Sequence, residues 1–193
     1  MKKLIFALII TLIGGFALGS CKAPPVEEMN KAIDAVARAE NDKDAVTYAA
    51  NSLARAKDAL NRMNQEAAAK RYDQAKSLAA EAVSLAEKAI ADGKTGAARA
   101  RDEAVNLIAV VGSEITATEG ELAAATNAGN LALDTNALGK DLETCKNGLD
   151  EAKQSANNEN YRDAINKAQP IRPALAEIRT KINGAAVEAG RKK

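Results

Sequence analysis

The feature that most constrains this 193-residue chain is the spacing of its apolar residues, which recur at alternating steps of three and four. Such spacing gives each helix one narrow apolar seam, as in coiled coils and helical bundles. No stretch alternates apolar and polar residues as a half-buried strand does. The seams are Val46, Ala49, Leu53, Ala56, Leu60, Met63 and Ala67; Ala75, Ala79, Ala82, Ala86 and Ala89; Ala104, Leu107, Val111, Ile115, Thr118, Leu122 and Ala125; and Leu138, Leu142, Cys145, Leu149, Ala152 and Ala156. We therefore predict an all-α, elongated antiparallel bundle of about six helices.

Turn-forming residues divide this helical pattern. Pro24-Pro25 should open the first helix, with Val26, Met29, Ile33 and Val36 facing inward. Asp44 is the expected N-cap of the second helix. Further breaks are expected before Tyr72 and within 92–96, 127–130 and 157–160, and Pro170 and Pro173 should kink or split the last helix. The resulting units are 26–93 and 97–189, followed by a basic tail, 190–193.

The two halves of the chain match at an offset of 89 residues, which indicates an internal duplication of a three-helix unit. Identical pairs are Leu53 with Leu142, Lys57 with Lys146, Leu60 with Leu149, Gln65 with Gln154, and Tyr72 with Tyr161. At the same offset, Val26, Ile33 and Val36 fall on Ile115, Leu122 and Ala125. We expect the two tyrosines to fill helical corners, with ligand contact as the alternative.

The amino terminus has the order of a secretory signal peptide: two lysines, an apolar run, then small residues. Its end, Leu18-Gly19-Ser20-Cys21, resembles the bacterial lipobox. That resemblance implies cleavage between Ser20 and Cys21, removal of residues 1–20, and acylation of Cys21. Residues 21–25 would then tether the protein to a membrane, and Lys22 favours the outer membrane, facing the periplasm.

The stretch from Ala23 to Gly93 resembles the bacterial envelope family known as domain of unknown function 4398. The residues that carry the resemblance are Pro25, Ala32, Ala35, Ala39, Tyr48, Ala49, Leu53, Ala56, Leu60, Ala67, Tyr72, Ala75 and Ala79. The family implies a lipobox, a proline-rich tether and alanine-rich antiparallel helices. Larger relatives can also carry a carboxyl-terminal peptidoglycan-binding domain, and we see no segment of that kind in this sequence.

Composition argues against most chemistry. The chain has no histidine, so triads and metal sites that need one are excluded. Without Lys2 and Lys3, 25 basic residues face 26 acidic ones, which is a poor match for nucleic acid. Most acids have a basic partner four residues on, as on a solvated helix face. We predict no enzyme activity, no cofactor and no metal.

Three interpretations of function follow, all with a membrane anchor. The first is a scaffold that binds other envelope proteins. The second is a carrier for a small apolar ligand, and the third is a surface protein that contacts a host or a neighbouring cell. Cys145 is expected to be a buried, inert thiol, with an intermolecular disulfide as the alternative. Lys193 resembles the residue through which the major murein lipoprotein joins peptidoglycan; a solvated tail is the alternative.

Overall fold

The computed structural model describes residues 23–129 and 131–191, and this part of the chain contains helices and no strand. The predicted all-α fold is confirmed. The described residues form seven helices rather than about six, because two short helices stand apart from the long ones. The helices are α1 (Val26–Asn41), α2 (Lys43–Tyr48), α3 (Ala50–Ala68), α4 (Tyr72–Ala128), α5 (Thr135–Asn157), α6 (Tyr161–Ala168) and α7 (Ile171–Arg191).

Helix α4 continues through residues 92–96, where the sequence predicted a break, so that prediction is wrong. A glycine costs a helix interior about 1 kcal/mol relative to alanine. The alanines that flank Gly93 and Gly96 on both sides favour the helix enough to offset this. The chain nevertheless divides into two compact units after Asp92. Helix α4 therefore contributes 72–92 to unit 1 and 93–128 to unit 2.

Unit 1 is an antiparallel bundle of α1, α3 and the first part of α4. Near the start of α1, Glu28 pairs with Lys76 of α4 at 2.5 Å. Near the end of α1, Glu40 pairs with Lys57 of α3 at 2.7 Å. The first pair joins the starts of two helices and the second joins an end to a first half. Helices α1 and α4 therefore run in the same direction, and α3 runs against both.

The core of unit 1 consists mainly of alanine. Fourteen buried residues form one cluster, and ten of them are alanines. They are Ala32, Ala35, Ala39, Ala56, Ala59, Ala75, Ala79, Ala82, Ala86 and Ala89, together with Val36, Leu53, Leu78 and Met63. Alanine side chains allow helix axes to approach toward about 8 Å, the short end of the usual range. Unit 1 is therefore a closely packed bundle with a thin core.

The inward face predicted for α1 is partly wrong. Val36 is buried, but Val26 and Ile33 are exposed. The buried face instead carries Ala32, Ala35 and Ala39. The larger side chains lie outside the seam because close contact between helices leaves room at its centre only for methyl groups.

The predicted cap of the second helix also needs correction. Asp42, not Asp44, is the N-cap of α2, and its carboxylate accepts a hydrogen bond from the Ala45 amide at 2.8 Å. Helix α2 then ends at Tyr48, because Ala49 has a non-helical backbone with φ −126° and ψ 33°. As a result Val46, predicted to lie in the seam, is exposed.

Unit 2 combines the second part of α4 with α5 and α7, and its core is built mainly from leucine and isoleucine. Nine of the twelve residues in its buried cluster are of these two types. They are Ile115, Leu122, Leu138, Leu142, Leu149, Ile171, Leu175, Ile178 and Ile182. The predicted split at Pro170 is confirmed, since α6 ends at Ala168 and α7 begins at Ile171. Pro173 lies in the first turn of α7, where proline is tolerated.

Candidate functional site

The residues predicted to carry the membrane anchor lie outside the described part of the chain. These are the signal peptide 1–20, the cleavage site at Ser20 and Cys21, and the lipid-bearing Cys21 itself. The proposed wall-attachment residue, Lys193, lies outside it as well. All of them stay predictions.

The corner between α3 and α4 is a Schellman motif, the commonest way to end a helix with a left-handed residue. Lys70 supplies that residue, with φ 58°. Its amide donates to the Ala67 carbonyl at 3.0 Å, and the next amide, of Arg71, donates to the Glu66 carbonyl at 2.9 Å. The Arg71 guanidinium also pairs with the Glu66 carboxylate. That ion pair lowers the pKa of Glu66, chiefly through the hydrogen bond from Arg71.

The corner between α5 and α6 repeats this motif 89 residues later. Glu159 has φ 58°, and its amide donates to the Ala156 carbonyl at 3.0 Å. The Asn160 amide donates to the Ser155 carbonyl at 2.9 Å. A non-glycine residue in the left-handed region is uncommon. Its recurrence at the same position of both corners therefore supports the predicted duplication.

The two predicted corner tyrosines begin the helices that follow these motifs. Tyr72 is the first residue of α4 and Tyr161 the first of α6, and both are half-buried. Neither helix start is enclosed as a ligand pocket would be. The placement supports a structural role for both rings at the corners.

A polar cluster at the second corner was missed by the sequence reasoning, apart from its pair of Asp163 and Lys167. The Ser155 hydroxyl donates to the Asp163 carboxylate at 2.6 Å, and the Lys167 ammonium donates to the Ser155 oxygen at 3.0 Å. Lys167 also pairs with Asp163 at 3.0 Å. The hydrogen bond from Ser155, followed by that from Lys167, lowers the pKa of Asp163.

A serine beside a lysine invites a catalytic interpretation, but the geometry argues against it. A lysine base needs a free lone pair, whereas Lys167 is ion-paired with a carboxylate and donates its protons. Ser155 is also buried. Its equivalent in unit 1 is Glu66, which joins the other corner through Arg71. The cluster therefore serves as a second clamp on a helical corner.

Cys145 lies where its spacing predicted, in the buried seam of α5. It is a free thiol, and burial, followed by the nearby charge of Asp141, raises its pKa. A raised pKa reduces the thiolate form, which is the nucleophile and the metal ligand. The position supports an inert core thiol and disfavours the intermolecular disulfide.

Other features that mark a site were sought within the described residues. They hold no group of three or more histidine, cysteine, aspartate or glutamate residues arranged to bind a metal ion. Every buried side-chain nitrogen or oxygen atom among them has a hydrogen-bond partner. None of the described helices is both long enough and apolar enough to span a bilayer.

One open groove in unit 2 is apolar. It has a volume of about 460 Å³ and lies between the last turns of α4 and of α7. Its lining includes Ala124, Ala128, Leu131, Ile182, Ala186 and Ala189. Short side chains on both walls make it shallow, unlike the enclosed pockets that bury most of a small ligand. The sequence gave no signal for it, because it depends on how far three helices overlap.

Comparison with known families supports the resemblance seen in the sequence. Residues 27–105 match the model of the family described as Domain of unknown function (DUF4398). That segment runs from the first turn of α1 into the middle of α4 and contains the alanine core of unit 1. Comparisons with curated proteins and with solved structures gave no match.

Proposed function

We propose that this chain is a lipid-anchored protein of the bacterial cell envelope that acts as a scaffold rather than as an enzyme. The lipid would be attached to Cys21, and the anchored protein would face the periplasm from the outer membrane. Its two helical units would offer their outer faces to other envelope proteins.

The observation that carries this proposal is the use of the polar groups in both units. Carboxylates, lysines and arginines pair with one another across helices, as Glu28 does with Lys76 and Glu114 with Arg172. No buried side-chain polar atom of the described residues is left without a partner. An active site generally holds polar groups that await a substrate, with perturbed pKa values and in a cleft. Bundles whose polar groups serve to hold helices together are better suited to binding and support.

The anchor can be tested by replacing one cysteine at a time. We expect Cys21→Ala to move the protein out of the detergent-soluble membrane fraction, because acyl chains supply about 0.8 kcal/mol per buried CH₂ group. Cys145→Ala is the matched control, since it removes the other cysteine and should leave the protein with the membrane. Fractionation and intact-mass spectrometry would measure both. A Cys21→Ala protein that stays in the membrane fraction and keeps the wild-type mass would refute the anchor.

The scaffold role can be tested by cross-linking and mass spectrometry on intact cells that express the full chain. Reproducible links from the helix faces to one envelope protein would support the proposal and identify the partner. Cells expressing the Cys21→Ala variant provide the control for contacts that depend on the anchor. Cross-links no more frequent than in that control would contradict a scaffold at the membrane.

A further inference from the structure

The two units differ in how far their first helices slide along the rest of the bundle. In unit 1, Glu40 of the first helix pairs with Lys57, 17 residues later. In unit 2, Glu119 of the first helix pairs with Lys146, 27 residues later. Lys57 and Lys146 are equivalent at the offset of 89. The first helix of unit 2 is therefore displaced by ten residues relative to its counterpart.

A second pair of helices gives the same displacement. Glu28 and Lys76 are 48 residues apart, whereas Glu114 and Arg172, which join the equivalent helices, are 58 apart. First helices therefore match at an offset of 79, at which Ala32 falls on Val111. The predicted match of the first helices at 89 is wrong, although it holds for the helices that follow.

The displacement lengthens one end of unit 2. About three turns of α4, up to Ala128, extend past the part that corresponds to α1. Helix α7 runs alongside them, as the bidentate pair between Arg179 and Glu121 shows at 2.7 Å. Helix α5, which fills the groove between these two helices elsewhere in the unit, begins only at Thr135. The apolar groove is therefore the uncovered continuation of the one that α5 occupies.

Two residues show this continuity directly. Ala125 and Ile182 belong to the buried core of unit 2, and both also line the open groove. What fits the continuation is therefore an apolar side chain carried on a helix. The methyl-sized walls, such as Ala128 and Ala186, leave room for a larger side chain than their own.

The same end of unit 2 also presents such a side chain. Val187 of α7, next to the groove residue Ala186, is 55% exposed. A patch that carries both a hollow and a projecting apolar residue is self-complementary, which is the requirement for a twofold interface. The one ion pair at the rim, Glu121 with Arg179, leaves no net charge there to repel a copy.

We propose that a second copy of this chain covers the groove, with Val187 of each copy seated between α4 and α7 of the other. The two copies are related by a twofold axis, so each supplies one valine and one groove. This dimer does not depend on the envelope function proposed above, since it rests on the geometry of unit 2 alone.

The test measures the protein mass of the full chain in detergent micelles by size-exclusion chromatography with light scattering. We expect two copies for the unaltered chain. Val187→Asp should raise the dissociation constant roughly 30-fold or more, as expected when a buried interface residue becomes charged. Val105→Asp is the matched control: Val105 is 54% exposed, lies in unit 2 outside the groove, and should leave the dimer intact.

A second variant approaches the interface from its other wall. Ala128→Glu places a charge in the groove and should separate the copies as Val187→Asp does, while circular dichroism shows the helices retained. A single copy for the unaltered chain would overturn the proposal. So would equal effects of Val187→Asp and Val105→Asp, because two copies held only by a shared micelle would respond to neither position.

Discussion

Units 1 and 2 share a plan of three antiparallel helices but fill it with different side chains. Ten of fourteen residues in the core of unit 1 are alanines, whereas nine of twelve in unit 2 are leucine or isoleucine. Burying a leucine or isoleucine side chain contributes about 1.5–3 kcal/mol, against roughly 0.8 kcal/mol for one methyl-sized group. Alanine loses no rotamer freedom on burial, which offsets part of that difference. The same topology is therefore compatible with two ways of packing helices.

Matched positions show how unit 2 accommodates its larger core. Ile171 of unit 2 corresponds to Ala82 of unit 1, and both are buried. Opposite Ile171 lies Gly148, where an added Cβ atom would be 3.4 Å from the isoleucine Cδ1 atom. The counterpart of Gly148 in unit 1 is Ala59, also buried. Gain of volume on one helix is accompanied by loss of volume on its neighbour, as close packing requires.

The lesson is that the two cores should fail in opposite ways. A core of large side chains is vulnerable to truncation, which leaves a cavity. A core of methyl groups has little to lose by truncation and is vulnerable to enlargement instead. Leu175 and Ala86 test this, since they are equivalent at the offset of 89 and are 1% and 0% exposed.

The largest effect is expected from Leu175→Ala. Removing this side chain from the core of unit 2 should lower the free energy of unfolding by about 3 kcal/mol, the sum of lost burial and a residual cavity. Hydrogen exchange followed by mass spectrometry would locate the loss, with faster exchange in α5 and α7. Ala86→Gly is the matched truncation in unit 1 and should cost only about 1 kcal/mol, mostly through helix propensity. Equal losses at both sites would contradict the comparison.

A smaller effect of the opposite kind is expected from Ala86→Leu. This change gives unit 1 the side chain that unit 2 carries at the same position. Because the neighbouring helices approach closely, it should destabilise unit 1 by about 1–3 kcal/mol through overpacking. Urea unfolding and the exchange of α1 and α3 amides would measure it. Ala80→Leu, on the exposed face of α4, is the control and should change stability by less than about 0.5 kcal/mol.

The sequence predicted which residues are buried better than it predicted which helices lie beside them. Every member of the seam from Leu138 through Ala152 is buried, and so is every member from Ala75 to Ala89. Periodicity succeeds here because burial selects one face of each helix. Val46 failed because Ala49 interrupts the helix that its spacing implied.

The slide of the first helix in unit 2 could not be predicted in this way. Ten residues are close to three helical turns, so a helix displaced by that amount presents nearly the same face. Apolar spacing therefore allows offsets of 79 and 89 equally well. The ion pairs of Glu40 and Glu119 distinguish them, and such pairs become visible only when helices are placed side by side. The groove in unit 2 follows from this slide and was beyond prediction for the same reason.

The smallest effect concerns the corners, where the units agree rather than differ. Lys70→Gly and Glu159→Gly should each raise the free energy of unfolding by a few tenths of a kcal/mol. Glycine relieves a left-handed strain of about 1 kcal/mol, and greater freedom in the unfolded chain offsets part of that gain. Lys70→Ala and Glu159→Ala are the controls, because alanine keeps the strain and should stabilise neither corner. Since both residues have φ 58°, the two glycine variants should shift thermal unfolding alike. A gain in one unit and a loss in the other would show that the corners, like the cores, have diverged.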